Sequence, residues 1–298
     1  MKWRGLHFVA IPAIVLYLCK KIGTMKKIVK ILFLWALCCF VGCAPKAEIK
    51  VISYNIRFSG GPDGYNSWQY RKQASVNMMQ EEMPTVMGCQ EMLPDQIDFL
   101  LSAMPNYQAI GVGRDDGVSA GEHMAILYNT DRVKLLEWDT FWLSTTPEEP
   151  SYGWDAACKR TCTYAKFVEK RSKKEFVVLN THLDHRGKEA KREGAALVAQ
   201  RSLELASDGM PVFLSGDMNM LPDNESLGSL REVFDDARVV APMSDYRTTF
   251  NGWGNDHRIL DYIFLRGAEA VEFRVLRDAD YGAPYISDHY PVALTATF

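Results

Sequence analysis

The residues able to do chemistry in this sequence sit where predicted strands begin or end. Asn55 follows Ile49-Lys-Val-Ile-Ser-Tyr54, Gln90-Glu91 follow Thr85-Val-Met-Gly-Cys89, and Thr181-His182-Leu183-Asp184-His185 follow the strand ending at Asn180. Gly216-Asp217-Met218-Asn219 follow Pro211-Val-Phe-Leu-Ser215, Asp261 opens a strand, and Ser287-Asp288-His289 precede the last one. A sheet that delivers carboxylates, amides and histidines to one edge builds a site there. Carboxylates are hard oxygen ligands suited to magnesium or manganese, and no thiol cluster or His-Glu-His spacing points to zinc. Phosphoester hydrolysis needs a metal to neutralise a phosphoryl oxygen, donors for the other oxygens and a base for water. A histidine beside a carboxylate stays oriented and serves as acid or phosphate binder.

Each residue also has a plainer reading. Glu91 is equally a surface acid after a strand, His182 a satisfied core histidine, and Gly-Asp-x-Asn an Asx turn. Asp184 and His185 divide between supporting the site and shaping a loop. Lys159 and Arg160 either lend positive charge to a phosphate or end a solvated strand. Trp68, Tyr152, Trp154, Phe250 and Trp253 lie in Gly- and Asn-rich turns, where aromatics stack on a sugar, base or lipid or plug the core.

The elements that must position these residues alternate. Trp68 to Glu82 and Pro94 to Met104 read as helices, each bounded by proline. Met124–Tyr128 and Val133–Trp138 read as a hairpin, and 161–168 with 175–180 as another strand pair. Residues 188–207 read as the clearest helix, with Ala195, Leu197, Val198, Leu203 and Leu205 on its apolar stripe. Residues 260–265 and 291–298 are the last strands. No repeat or long linker interrupts this α/β pattern, which predicts one domain over residues 49–298 behind a polar linker at 44–48.

The chain has 298 residues, 47% hydrophobic and 24% charged, the composition of a packed globular protein. Its net charge of −3 hides an asymmetry: residues 1–43 hold seven basic side chains and no acid, so residues 44–298 carry 27 basic against 37 acidic residues, a net of −10. That balance argues against stable binding to duplex DNA, which calls for a basic stripe, but permits a small phosphorylated substrate in a local positive pocket. The basic segment Met25-Lys-Lys-Ile-Val-Lys30 precedes eleven apolar residues, Ile31–Val41, a length right for a signal h-region and short for a membrane span. A second apolar stretch, Phe8–Leu18, lies upstream, which suggests translation from Met25. Of seven cysteines, Cys89, Cys158 and Cys162 fall in the domain; three exclude a full disulfide framework, and Cys158 and Cys162 read as ordinary buried residues.

Two resemblances add to this reading. Phe40-Val41-Gly42-Cys43 resembles the lipobox of bacterial lipoproteins, with Phe40 where leucine is usual. It implies a protein anchored to the cell envelope through lipidated Cys43, on its periplasmic or surface side. Ser53-Tyr-Asn55, Gln90-Glu91, Gly121-Glu122 with Tyr128, Asn180-Thr-His182, Gly216-Asp217-Met-Asn219, Leu260-Asp261-Tyr-Ile-Phe264 and Ser287-Asp288-His289 together resemble the endonuclease/exonuclease/phosphatase superfamily, in its order and over the whole predicted domain. The resemblance implies a four-layer α/β/β/α sandwich of two mixed sheets, as in deoxyribonuclease I. It also implies Mg2+, or Mn2+, held by Glu91 with Asn55 and Asp288. Asp217 would align or deprotonate water, Asn219 would hold phosphate and nucleophile, and His182 and His289 would contact phosphoryl oxygens or act as acid and base. Glu122 would orient His182, and Asp261 would orient His289. The run from Trp154-Asp155 through Arg160 to Asn-Thr-His-Leu-Asp-His-Arg-Gly-Lys188 resembles secreted bacterial members of unassigned substrate.

The expectation is therefore a monomeric, metal-dependent hydrolase of a phosphodiester or phosphomonoester, such as a phospholipid headgroup, a sugar phosphate or scavenged nucleic acid. The alternative is a noncatalytic envelope lipoprotein that binds a phosphorylated or glycan ligand in the same pocket.

Overall fold

The side chains of the first strand, β1 (Glu48–Asn55), have two destinations. Ile49 and Val51 enter one buried cluster, whereas Ile52 and Tyr54 enter another. A strand covered on both faces requires that period of two. A computed structural model of the chain describes Lys21, residues 46–276 and residues 281–298. The chain divides into two units, Met1–Pro45 and Lys46–Phe298. The predicted signal segment and Cys43 lie outside the described residues, among which no helix is long and apolar enough to cross a membrane.

Twelve further strands follow: β2 (Val86–Gln90), β3 (Tyr107–Ile110), β4 (Ile126–Asn129), β5 (Val133–Trp142), β6 (Thr161–Glu169), β7 (Glu175–His182), β8 (Val212–Asp217), β9 (Asp235–Asp236), β10 (Met243–Ser244), β11 (Asp261–Arg266), β12 (Glu269–Val275) and β13 (Val292–Thr297) among the described residues. They form a 7-stranded sheet in the order β10-β12-β13-β1-β2-β4-β3 and a 6-stranded sheet in the order β5-β6-β7-β8-β11-β9. Both are mixed: β1 pairs β2 in parallel and β13 antiparallel, and β7 pairs β8 in parallel while β11 runs antiparallel to β8. Val51, Val86 and Leu294 of the first sheet meet Phe176, Phe213 and Ile263 of the second in one cluster between the sheets. Helices α1 (Trp68–Glu82) and α2 (Pro94–Ala103) cover the outside of the first sheet through Met78, Met79 and Leu100. Helix α3 (Lys188–Leu205) covers the outside of the second through Ala195 and Val198. The four-layer sandwich expected from the motifs is the observed architecture.

Four local expectations change. Residues 124–138 are not a hairpin: β4 joins the first sheet and β5 the second, so the turn between them crosses from one sheet to the other. The strands β3 and β12 were not anticipated; both are short of continuous apolar residues and are completed by antiparallel neighbours. On α3, Leu203 is exposed and Gly194, Ala199 and Ser202 take the buried stripe, because small residues let the helix lie close to the sheet. The predicted linker is partly folded: Ala47 is buried and exchanges backbone hydrogen bonds with Phe298 at 2.9 and 3.1 Å.

Glu82 closes α1 against the first sheet. Its buried carboxylate accepts from Lys50 Nζ at 2.8 Å, from Arg274 and from the Tyr281 hydroxyl at 3.2 Å. Burial alone would raise its pKa, but Lys50 and Arg274 together hold it below the ordinary value of 4.5. A depressed folded pKa stabilises the protein above the unfolded value, and that contribution is lost as pH falls from about 4.5 through the folded value. Glu82→Gln is expected to cost about 1–3 kcal/mol at pH 7 and visibly less at pH 3. Urea unfolding at both pH values checks this; an equal cost at both would remove the charge from the explanation.

Candidate active site

On the inner faces of both sheets the apolar core stops at one level, and polar side chains begin. In β7, Phe176 and Val178 give way to Asn180 and His182; in β8, Phe213 gives way to Ser215 and Asp217. Register then sets neighbours: Asn55 lies beside Gln90, His182 beside Asp217, and Asp217 beside Asp261. Adjacent strands lie about 4.8 Å apart, so three functional groups of the second sheet stand in a row. Below them Asn180 joins the sheets, donating to the Cys89 and Ala125 carbonyls at 2.8 and 2.9 Å and accepting from Gln90 Nε2 at 2.6 Å. At Gly88 any Cβ would collide with Ser215 Oγ and Asn180 Oδ1, so the sheets approach this closely only over glycine.

The row opens into a cavity of about 550 Å³ lined by Glu91, Asp288, Asp217, Asn219, His182 and His289, among others. His289 Nδ1 donates to Asp261 Oδ2 at 2.8 Å, and its Nε2 lies 3.6 Å from Asp217 Oδ2. Burial disfavours charge on this ring, but the Asp261 and Asp217 carboxylates outweigh burial and raise its pKa well above the ordinary value. The two carboxylates thus favour the imidazolium form of His289. His182 is the opposite case. Burial, with Arg160 and Arg114 nearby, holds its pKa well below the usual value. The neutral ring accepts from Asn219 Nδ2 at 2.8 Å, and Asn219 also donates to the Leu183 carbonyl at 3.0 Å. Asp217 accepts from Asn55 Nδ2 at 3.0 Å and from the Asn219 backbone at 2.9 Å, while burial pushes its pKa upward.

Glu91 and Asp288 face this group across the cavity. Asn55 Nδ2 donates to Glu91 Oε1 at 3.1 Å. Arg57 Nη1 lies 3.8 Å from Glu91, and Arg57 Nε lies 4.0 Å from Asp288. Burial raises the Asp288 pKa, and the neighbouring Glu91 raises it further. Two carboxylates, one raising the pKa of the other, fit a hard divalent cation; Asn55 beside them turns Nδ2 toward Glu91, and its Oδ1 accepts from the Arg57 backbone at 3.1 Å. Asp217, Asp261 and His289 also offer ligand atoms within 4.8 Å of one another. There His289 Nδ1 is engaged by Asp261 Oδ2 at 2.8 Å, whereas Glu91 and Asp288 offer a second pair of hard oxygen donors. Arg57, Glu91 and Asn219 have φ of 57°, 59° and 50°, so the chain accepts left-handed backbone at three non-glycine residues of one site, a common mark of functional constraint.

One expected contact is absent. Glu122 lines the cavity but accepts from Arg114 Nη1 at 2.6 Å, and His182 Nδ1 has no hydrogen-bond partner among the described residues. The loop bearing Glu122 turns toward Arg114, bringing the carboxylate under the influence of Glu91 rather than of the imidazole. Asp155 and Asp184 shape loops: Asp155 accepts from the Ala190 backbone at the start of α3 at 2.7 Å, and Asp184 from Arg186 and Gly187 at 2.8 and 2.7 Å. Trp68 is a core plug, packed edge-on to Phe99. Phe250 lines the cavity with its ring 4.7 Å from that of His289.

Several site residues escaped the sequence reading. Arg57, Arg114 and Arg258 line the cavity, and only the place of Arg57 two residues after Asn55 hinted at this. Buried Arg71 donates to the Arg57, Asn66 and Ile286 carbonyls at 2.7, 2.9 and 3.0 Å, tying the loop after β1 to the loop before Ser287. Ser287 Oγ donates to the Asn55 carbonyl at 2.6 Å and Asn251 Nδ2 to the Ser287 carbonyl at 3.1 Å, which seats Asp288 and His289.

The Endonuclease/Exonuclease/phosphatase family profile matches residues 52–289. The chain belongs to this family. Among solved structures of endonuclease/exonuclease/phosphatase proteins, it is similar to a family member from Bacteroides thetaiotaomicron at 34% identity and TM-score 0.79, covering 85% of this chain and 99% of that one. It is also similar to a mannosyl-6-phosphatase from Bacteroides thetaiotaomicron VPI-5482, at 35% identity and TM-score 0.79, covering 84% and 100%. An uncharacterised protein of Acanthamoeba polyphaga mimivirus is 25% identical over 270 residues. The sandwich is thus the hydrolase fold of the endonuclease/exonuclease/phosphatase family, with a phosphatase among its structural neighbours.

Proposed function

We propose that the protein is a metal-dependent phosphoesterase, and that a phosphomonoester on a sugar is its preferred class of substrate. The observation that carries the reading is the charge at one end of the cavity: four carboxylates, Glu91, Asp217, Asp261 and Asp288, meet around His289 and two arginines, Arg57 and Arg258, which Asp63 and Asp256 also engage. Such an excess calls for a divalent cation. Similarity to a mannosyl-6-phosphatase supports the sugar phosphate.

Glu91, Asp288 and Asn55 would hold Mg2+ or Mn2+, which when bound supplies positive charge to a phosphoryl oxygen. The protein's own groups divide the remaining work. His289 Nε2–H donates to a phosphoryl oxygen as charge builds there, and Asp261 keeps that proton in place. Asp217, with a raised pKa, is a base better matched to neutral pH than an ordinary carboxylate, and takes the proton of the attacking water. Asn219, whose Nδ2 is spent on neutral His182 and the Leu183 carbonyl, offers Oδ1 as an acceptor that orients the attacking water.

The test is release of phosphate from mannose 6-phosphate and of nitrophenol from bis(p-nitrophenyl) phosphate by the purified chain, with and without Mg2+. Metal-dependent turnover abolished by EDTA is expected; no turnover of either at high enzyme and metal would favour the noncatalytic binding alternative. We also propose anchoring to the cell envelope through Cys43. Cys43→Ser is expected to move the protein from the membrane pellet to the soluble fraction in a bacterial host, and an unchanged distribution would count against lipidation.

A further inference from the structure

We propose that the cavity has a second oxyanion subsite, centred on Arg160 with Lys191, so that the substrate carries a second phosphate or a carboxylate besides the scissile phosphate. The inference rests on the phosphoesterase reading and deepens it to a substrate class.

The sandwich gives the cavity a long axis. In the second sheet the strand order β6-β7-β8-β11 sets Arg160, directly before β6, and then His182, Asp217 and Asp261 along one edge. Arg160 directly precedes β6, two strands from Asp217, or roughly 10 Å at the usual strand spacing. The charge changes sign along this axis. The Asp217–Asp288 end has the excess of carboxylates described above. At the other end Arg114, Arg160 and Lys191 outnumber Glu122 and Asp184, and Arg114 is already paired with Glu122.

Arg160 has unused capacity. Its side chain is buried, with 5% exposure, yet it lines the cavity. Nη2 contacts His185 Nδ1 at 3.1 Å, and Nε lies 3.6 Å from Asp184 Oδ2. Neither Nε nor Nη1 has a hydrogen-bond partner among the described residues. A buried guanidinium with unsatisfied donors costs free energy unless a ligand completes it. His185 and Asp184 hold it at the β6 end of the cavity. Lys191, in the first turns of α3, lines the same end of the cavity. Cys158, Asp184 and His185 cluster there with ligand atoms within 4.8 Å, but Arg160 contacts both Asp184 and His185, and a fixed guanidinium repels a metal ion. The chemistry that fits is an oxyanion, which a guanidinium binds with paired, charge-assisted hydrogen bonds.

Calorimetry on the full chain carrying Asp217→Asn, which slows turnover, with EDTA and no added metal, tests this without relying on activity. The probes are glucose 6-phosphate, glucose 1,6-bisphosphate and 6-phosphogluconate, the last two separating a second phosphate from a carboxylate. At least one doubly anionic probe is expected to bind about 10- to 100-fold more tightly than glucose 6-phosphate, the range of a charged hydrogen-bonded contact. Arg160→Gln is expected to remove most of that ratio. Lys191→Met, which leaves the Arg160–Asp184 pair intact, keeps the test open if the first variant does not fold, and is expected to reduce the ratio severalfold. Equal binding of all three probes overturns the subsite, as does an Arg160→Gln loss that is equal for all of them. Binding with the expected ratio but no hydrolysis by the unsubstituted chain would sink the phosphoesterase reading and leave the subsite standing.

Discussion

Asp217→Asn is expected to lower kcat by about 10²- to 10⁴-fold, the range of general-base loss, with little change in KM. The substitution preserves shape and leaves the hydrogen bond from the Asn219 backbone available to the remaining carbonyl oxygen. It removes the oxygen chemistry that can take a proton from water. Asp217 is buried and its charge is disfavoured there first by burial and then by Asp261, despite the compensating pull of His289. Replacing it by a neutral isostere should therefore hold or raise the melting temperature while activity falls, the exchange of stability for function expected of an active-site acid. Steady-state kinetics and thermal melts on the same preparation check both halves. A kcat within tenfold of the starting protein would remove Asp217 from the role of base.

The second large effect is expected at Glu91. Glu91→Gln should raise the Mg2+ concentration for half-maximal activity by at least the roughly 10- to 100-fold that loss of an outer partner of a metal ligand costs. The physical cause is the charge count of the site, which sets affinity for hard cations. The same substitution should help the metal-free protein, because Glu91 raises the pKa of both Asp288 and Glu122. The metal-free variant is thus expected to melt higher than the starting protein and to gain less from added Mg2+, as linkage requires when binding to the folded state weakens. An unchanged Mg2+ dependence would place the cation elsewhere, with the Asp217–Asp261–His289 trio the next set of donors.

Both predictions start from residues that their strands place predictably. The alternation of Ile49, Val51 and Asn55 along β1, or of Phe176, Val178, Asn180 and His182 along β7, is a local property. It follows from the two-residue period of an extended chain with one face toward the core between the sheets. That period is why strands, the helices between them and the polar residues at their ends were legible without coordinates, and why motifs scattered from Asn55 to His289 already pointed to one site. The four-layer sandwich was legible for a different reason, the resemblance of seven ordered motifs to a family, since periodicity alone does not say how many sheets the strands form.

Tertiary structure decided everything that depends on which elements become neighbours. Residues 124–128 and 133–138 were legible as extended segments, but only packing sends the strands they form to different sheets. Glu122 was legible as a site residue, but its partner is Arg114 rather than His182, because a loop carboxylate takes the donor that its backbone trace brings nearest. Arg57 and Arg71 are ordinary cations in sequence, and Arg160 is open there to two readings, a phosphate contact or the end of a solvated strand. Their roles come from burial and from carbonyls, carboxylates and rings supplied by distant segments. Residue type and strand period are written along the chain, and so the reacting groups could be named from it. The charge gradient of the cavity, acidic where a cation would sit and basic at Arg160, is a sum over non-local contacts, and only the folded chain brings those contacts together.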